Sequence, residues 1–231
     1  MKGEKQLSPA FRAEEGGGGE GYNLSDIVDA GFSRKPILVH SCCGPCSTAV
    51  VEKLVPEYEV SLFFYNPNIT DADEYGLRLA AQHSFVEQYN MLHEGDGRID
   101  LVEGPWEPEL FLKRVKGLEG EPEGGVRCKA CFALRLEKTA EFAVANGFGH
   151  FGTTLSVSPH KDYSAIYETG MRIAGEYGLV WLGDDFKKGD GFQRSVVLAK
   201  QYGLYRQAWC GCPFSRKGMP RAAADKGLPV I

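Results

Sequence analysis

With 231 residues, 43% of them hydrophobic, the chain suits one domain with a sizeable core. A formal net charge of −5 with 25% charged residues excludes a general polyelectrolyte binder, so contact with nucleic acid needs a local basic patch. No run approaches the ~20 apolar residues of a membrane span, and Lys2 and Lys5 are followed by no apolar signal stretch, which points to a reducing cytoplasm and no membrane partner.

Residues 1–34 read as a flexible N-terminal extension, since Glu14 to Gly21 is Gly and Glu only, although Asn23 to Gly31 has room for a short helix. Residues 35–231 read as a single domain. Pro36 to His40 is an apolar strand running straight into a cysteine-rich turn, and Ser47 to Val55 reads as a helix. Tyr58 to Tyr65 is a second, mostly apolar strand, punctuated by Asn66-Pro67-Asn68-Ile69. Asp71 to Glu94 reads as a long helix with an acidic first turn, 99–103 as a short strand and 107–115 as a helix. A Gly- and Glu-rich loop over 118–126 leads into a helix over 127–145, where Phe132, Leu136, Ala140 and Val144 recur every four residues and Asn146-Gly147 stops it. A strand from Phe151, a helix over 164–177, a strand near 180 and a helix over 191–202 complete the alternation. Strand and helix alternating throughout predict an α/β fold, a mostly parallel sheet with helices on both faces.

The seven cysteines fall in three tight groups: Cys42, Cys43 and Cys46; Cys128 and Cys131; Cys210 and Cys212. Seven thiols cannot all pair, and in a reducing compartment clustered thiols are metal ligands or catalytic groups more often than structural disulfides. The first group follows the first strand, where open α/β sheets place their ligands, and it opens a helix whose N-terminus favours thiolate. Gly44 and Pro45 allow a tight turn there. Cys128 and Cys131 are three apart at a helix start, which places both sulfurs on one side. Two thiolates from each of these groups suit either Zn²⁺ or an iron–sulfur cluster. Spacing alone does not decide, but a large α/β core around the thiols favours iron–sulfur. Cys210-Gly211-Cys212 closes only a small, strained ring, suited to a redox cycle; a further pair of metal ligands is the alternative.

Other candidates are weaker. Lys187 and Lys188 follow a strand and are placed to meet substrate phosphate or ribose, or they belong to a plain charged loop. His160, in Ser156 to Lys161, is a candidate proton donor. Arg206, Arg216, Lys217 and Arg221 form the best local patch for RNA phosphate. No Ser-Gly-Gly-x-Asp-Ser loop follows the first strand, which argues against adenylation.

Taken in order, His40 to Ser47, Phe64 to Ile69, Arg127 to Cys131, Thr153 to Lys161, Asp185 to Lys187 and Trp209 to Cys212 resemble the QueH family of epoxyqueuosine reductases. The match spans about residues 35–216, and its Cys-Cys-Gly-Pro-Cys and Cys-Gly-Cys elements in this order are its specific part. The resemblance implies reduction of an epoxide on a modified tRNA base, the last step of queuosine synthesis, in a fold like nucleotide-binding (HUP-like) α/β proteins. It implies a [4Fe-4S] cluster on Cys42, Cys43, Cys128 and Cys131, a redox-active pair at Cys210 and Cys212, and an additional iron or a substitute ligand role for Cys46. The implied partners are tRNA with a queuosine-precursor anticodon and an electron donor the sequence does not identify. The competing readings are a four-cysteine zinc-binding RNA module without redox catalysis and a metal-free thiol oxidoreductase.

Overall fold

The two most apolar runs, 36–40 and 58–65, pair side by side at the centre of a five-stranded sheet in the computed structural model, which describes residues 34–216 apart from 94 and 96. The reading of residues 1–34 as a flexible extension, and the basic residues Lys217 and Arg221, lie outside the described residues but for Arg34. In chain order the elements are β1 (Lys35–Ser41), α1 (Gly44–Leu54), β2 (Tyr58–Phe64), α2 (Ala72–Leu92), β3 (Asp100–Glu103), α3 (Pro108–Arg114) and α4 (Val126–Ala145). β4 (His150–Thr153), a 3-10 turn (Thr154–Val157), α5 (Tyr163–Tyr177), β5 (Val180–Leu182), α6 (Gly191–Gln201) and the one-turn α7 (Pro213–Arg216) follow.

The strands lie in the order β3-β2-β1-β4-β5, and every neighbouring pair is parallel. Strand alternation divides the core between two faces. Ile37, Val39, Val60 and Leu62 pack against α1, α2 and α6. Leu38, Phe63 and Phe151 point the other way, against Leu136 and Ala140 of α4 and Ile173 of α5. This is the α/β fold expected from the alternation of elements.

The strand order reverses between β1 and β4, and such a switch point opens a crevice beyond the carboxyl ends of the strands. The cysteine loop after β1 and the 3-10 turn after β4 flank that crevice. The crossover helices run back from it, so α1 and α4 present their N-termini, with Cys46 and Cys128, to the same edge.

Two boundaries differ from those expected. Helix α1 begins at Gly44 rather than Ser47, because Pro45 sits where the helix has no use for a backbone donor. Cys43 is therefore the N-cap and Cys46 lies in the first turn. A Cβ on residue 44 would stand 2.6 Å from the Ala81 carbonyl oxygen, so only glycine lets α1 start this close to α2. The strand expected from Phe151 onward ends at Thr153, where the Thr153 hydroxyl accepts the Leu155 N–H and turns the chain into the 3-10 helix.

Candidate active site and metal centre

His40, the last residue but one of β1, is fully buried between the ends of β2 and β4. Its Nε2 lies 3.0 Å from the Tyr65 carbonyl oxygen, which only accepts, so Nε2 carries the proton. Nδ1 then accepts from the Thr153 hydroxyl at 3.0 Å. Burial, with Arg135 nearby, lowers its pKa to about 3, so the ring is neutral and fastens three strand ends together. The unfolded chain takes up a proton near pH 6.5 that the native chain refuses, so stability falls as pH drops from 6.5 towards 3, by on the order of 5 kcal/mol at the low end. Urea unfolding at pH 7, 5.5 and 4 checks this. His40→Gln, which keeps a donor and an acceptor, should show a flatter pH dependence, and equal slopes would contradict a neutral buried ring.

Directly after this anchor come the first three cysteines. The sulfurs of Cys42, Cys43 and Cys46 all lie within 4.8 Å of one another, with 3.9 Å between the Sγ atoms of Cys42 and Cys43. The capping of α1 explains the convergence, since Cys43 and Cys46 stand three residues apart on one side of the helix start. The loop is held from all sides. The Cys42 N–H donates to Thr154 Oγ1 at 3.1 Å, and that hydroxyl donates to Cys42 Sγ at 3.4 Å. Gln207 Nε2 donates to Cys43 Sγ at 3.0 Å, and Asn66 Nδ2 donates to the Ser41 carbonyl at 2.9 Å. A buried cluster of Ser41, Ser47 and Gln82 backs the turn.

The thiols share protons unequally. Hydrogen bonds from Cys43 and then Cys46 hold Cys42 well below its ordinary pKa, with Lys161 helping. The bond to Cys42 raises Cys43 to about 11, and the bonds to Cys42 and Cys43 raise Cys46 as well. Three close thiols, two buried and Cys46 half-buried, one of them with a lowered pKa, are a soft donor set, so Cys42, Cys43 and Cys46 can hold a metal ion.

A cavity of about 530 Å³ lies against this group. Six of the seven cysteines line it, and the seventh, Cys43, belongs to the sulfur triad. Cys128 and Cys131 reach it from the first turns of α4, where Cys128 Sγ accepts the Gly124 N–H at 3.2 Å and burial raises the Cys131 thiol to about 11. Cys128 packs against the apolar cluster that holds Cys42, Cys43, Phe132 and Leu155, and Cys131 shares a second cluster with Cys212 and Phe111, against which Cys210 packs. In the same lining, a hydrogen bond from Cys212 holds Cys210 well below the ordinary thiol pKa and raises Cys212 correspondingly. All seven cysteines are free.

The cavity is also cationic. Arg78, Arg127, Arg135, Lys161 and Arg206 line it, with Glu123 as the one carboxylate among the described lining residues. Burial works against the Lys161 ammonium, yet the charge of Cys42 and Cys46 outweighs it and keeps the pKa above its ordinary value. Arg206 stands 5.2 Å over the Phe192 ring, and Trp209 adds a second aromatic face to the wall.

Of the weaker sequence candidates, His160 lines the cavity. Lys187 and Lys188 are not among its lining residues: Lys187 lies 3.9 Å from Asp185 and donates to the Lys161 carbonyl, and Lys188 is exposed. Gln207, Arg78 and Arg135 carry no local signal, since nothing in a lone polar residue marks it as facing a sulfur or the cavity. Thr154 and Lys161 both stand in the Thr153 to Lys161 stretch, and its place beyond a strand end was the available signal.

The family model described as epoxyqueuosine reductase QueH matches residues 37–218. A relative from Streptococcus pyogenes serotype M1, named epoxyqueuosine reductase QueH, is 40% identical over 184 residues, covering 80% of this chain and 71% of its own. Relatives of the same name from Staphylococcus epidermidis (40% identical over 184 residues; 79% and 76% of the two chains) and Thermotoga maritima (33% over 182; 78% and 89%) agree. The matched span contains all seven cysteines and every wall of the cavity. The chain belongs to the epoxyqueuosine reductase QueH family.

Proposed function

We propose that this enzyme reduces the epoxide of epoxyqueuosine in tRNA to the alkene of queuosine, releasing the oxygen as water. The carrying observation is the cavity at the strand-order switch, where three cysteine groups meet under a cationic wall. The names of the relatives supply the substrate. The cationic lining answers the difficulty of the net charge: an acidic chain can still receive an RNA loop at a basic mouth. A cavity of about 530 Å³ accommodates one base turned out of a loop, with Trp209 and Phe192 as apolar surfaces.

The close thiols of Cys42, Cys43 and Cys46 are a soft donor set, and Cys128 and Cys131 in the wall of the same cavity add two more of the thiols that an iron–sulfur group takes. In this reading Cys42, Cys43, Cys128 and Cys131 hold a [4Fe-4S] cluster, and Cys46 serves an additional iron beside it. When bound, iron supplies a Lewis acid for the epoxide oxygen and a store for single electrons. The chain's own residues do the rest. Cys210 and Cys212 together give two electrons and two protons as their S–S bond forms; the two C–O bonds of the epoxide break, the C=C bond forms and water leaves. Lys161 holds its proton close to Cys42, Cys46 and Cys210, where negative charge gathers. A donor outside the chain reduces the disulfide before the next turnover. The reading places the enzyme in the cytoplasm, with residues 35–231 as one catalytic domain behind a 1–34 extension. Among the described residues no helix is long and apolar enough to cross a membrane.

Anaerobic purification tests this. The protein should be brown, carry iron and sulfide, and convert epoxyqueuosine-containing tRNA. Colourless protein with stoichiometric zinc and no turnover would falsify the proposal and favour a zinc-binding RNA module.

A further inference from the structure

The Asn66-Pro67-Asn68 stretch closes β2 and has no role in the chemistry above, yet it touches both cysteine loops. Asn66 Nδ2 donates to the Ser41 carbonyl, immediately ahead of Cys42. Two residues on, Asn68 Nδ2 donates to the Cys210 carbonyl at 3.1 Å. Both acceptors are carbonyls, so the amide orientations follow from the chemistry. Both side chains are buried.

The Cys210 carbonyl has a second donor. Arg78 of α2 is only 3% exposed, and its Nη1 donates there at 3.2 Å while its Nη2 donates to the Trp209 carbonyl at 3.0 Å. Its Nε donates to Glu74 Oε1 at 2.6 Å, and Glu74 Oε2 in turn accepts the Tyr205 hydroxyl at 2.8 Å. One guanidinium thus spans a carboxylate and two consecutive backbone carbonyls, a reach that a lysine ammonium lacks. Burying an ion pair carries a desolvation cost that an apolar pair avoids, so the fork is better explained by what it holds than by stability. What it holds is a turn with no slack. Gly211 has φ +98°, and a Cβ there would come within 2.7 Å of Ile69 and 3.3 Å of both terminal nitrogens of Arg78. The turn carries Cys210 and Cys212 to the cavity wall.

We infer that Arg78 and Asn68 are positioning residues for the Cys210-Gly211-Cys212 turn, and that Asn66-Pro67-Asn68 sets the spacing between the two cysteine loops. The inference deepens the redox role proposed for Cys210 and Cys212 and rests on it. Two donors on one carbonyl and a left-handed glycine leave the pair a single backbone arrangement. A preset arrangement raises the effective concentration of one sulfur at the other.

The test uses the full-length protein and the variants Asn68→Ala and Arg78→Lys. The equilibrium constant for closing the Cys210–Cys212 disulfide is measured against dithiothreitol, with melting temperature and metal content as controls. Loss of one hydrogen bond to the turn should lower the constant about tenfold in each variant, with metal content unchanged and kcat falling more than KM changes. Asn68→Ala removes no charge, so it decides the matter alone if Arg78→Lys does not fold. An unchanged closing constant in the folded variants overturns the positioning role, whatever their activity. Retained turnover in a Cys210→Ser enzyme overturns the redox role instead, so the two failures read differently.

Discussion

Cys42→Ala should yield a folded protein that has lost its metal and its turnover together. The residue is the acceptor for both neighbouring thiols and the group that titrates lowest among the three. It is also held by Thr154 at backbone and sulfur. Removing it takes one sulfur from three that lie within 4.8 Å of one another, and the one that titrates lowest. If iron supplies several kcal/mol of stabilisation to the departing oxygen, its loss costs at least about a thousandfold in kcat. Iron and sulfide analysis, the visible spectrum and a tRNA conversion assay measure the two losses. Full metal content in this variant would remove Cys42 from the ligand set. Thr154→Val, which deletes the hydroxyl and keeps the shape, should weaken metal binding by about ten- to a hundredfold without abolishing it.

Cys210→Ser should separate the two properties. Serine fills nearly the same space and cannot form a disulfide, so the pair delivers no electrons. Turnover should fall by about a thousandfold or more while iron content and visible spectrum stay those of the parent, since Cys210 lies with Cys212 rather than in the sulfur triad. Cys212→Ser should behave alike, because the same bond is lost. Loss of iron in either variant would reassign that cysteine as a ligand, a role that thiolates take readily.

Most of the architecture was legible in the chain. The runs at 36–40 and 58–65 are mostly apolar because helices cover both faces. The repeat Phe132, Leu136, Ala140 lies in the buried stripe of α4, which Ala143 continues. Val144, expected to extend it, is exposed, because a helix turn of about 3.6 residues carries a strict four-residue spacing off the face. The grouping of cysteines has a counterpart in the fold: six of the seven line one cavity, although among the described residues the sulfurs that lie within 4.8 Å of one another are those of the first group, Cys42, Cys43 and Cys46. What was hard to read depends on cooperation between segments. The job of Cys46 was open because it turns on where α1 begins, and that start turns on Pro45 and on the room that Gly44 leaves beside Ala81. Glu74 and Arg78 look like an ordinary exposed pair one helical turn apart; only the strap over 202–212 lying across them buries both. Gln207 and Thr154 meet sulfurs more than a hundred residues away, and no local pattern encodes that.

The long reach from Cys43 to Gln207 has a consequence for how the protein matures. Cys42, Cys43 and Cys46 leave the ribosome long before the strap that carries Gln207 to them. Contacts between such distant segments form late, after the local helices. A growing or truncated chain carries its first three thiols without that cover. The hydrogen bond to Cys43 therefore belongs only to a chain made past Gln207, and on the function proposed above metal loading is expected to favour finished chains over truncated ones.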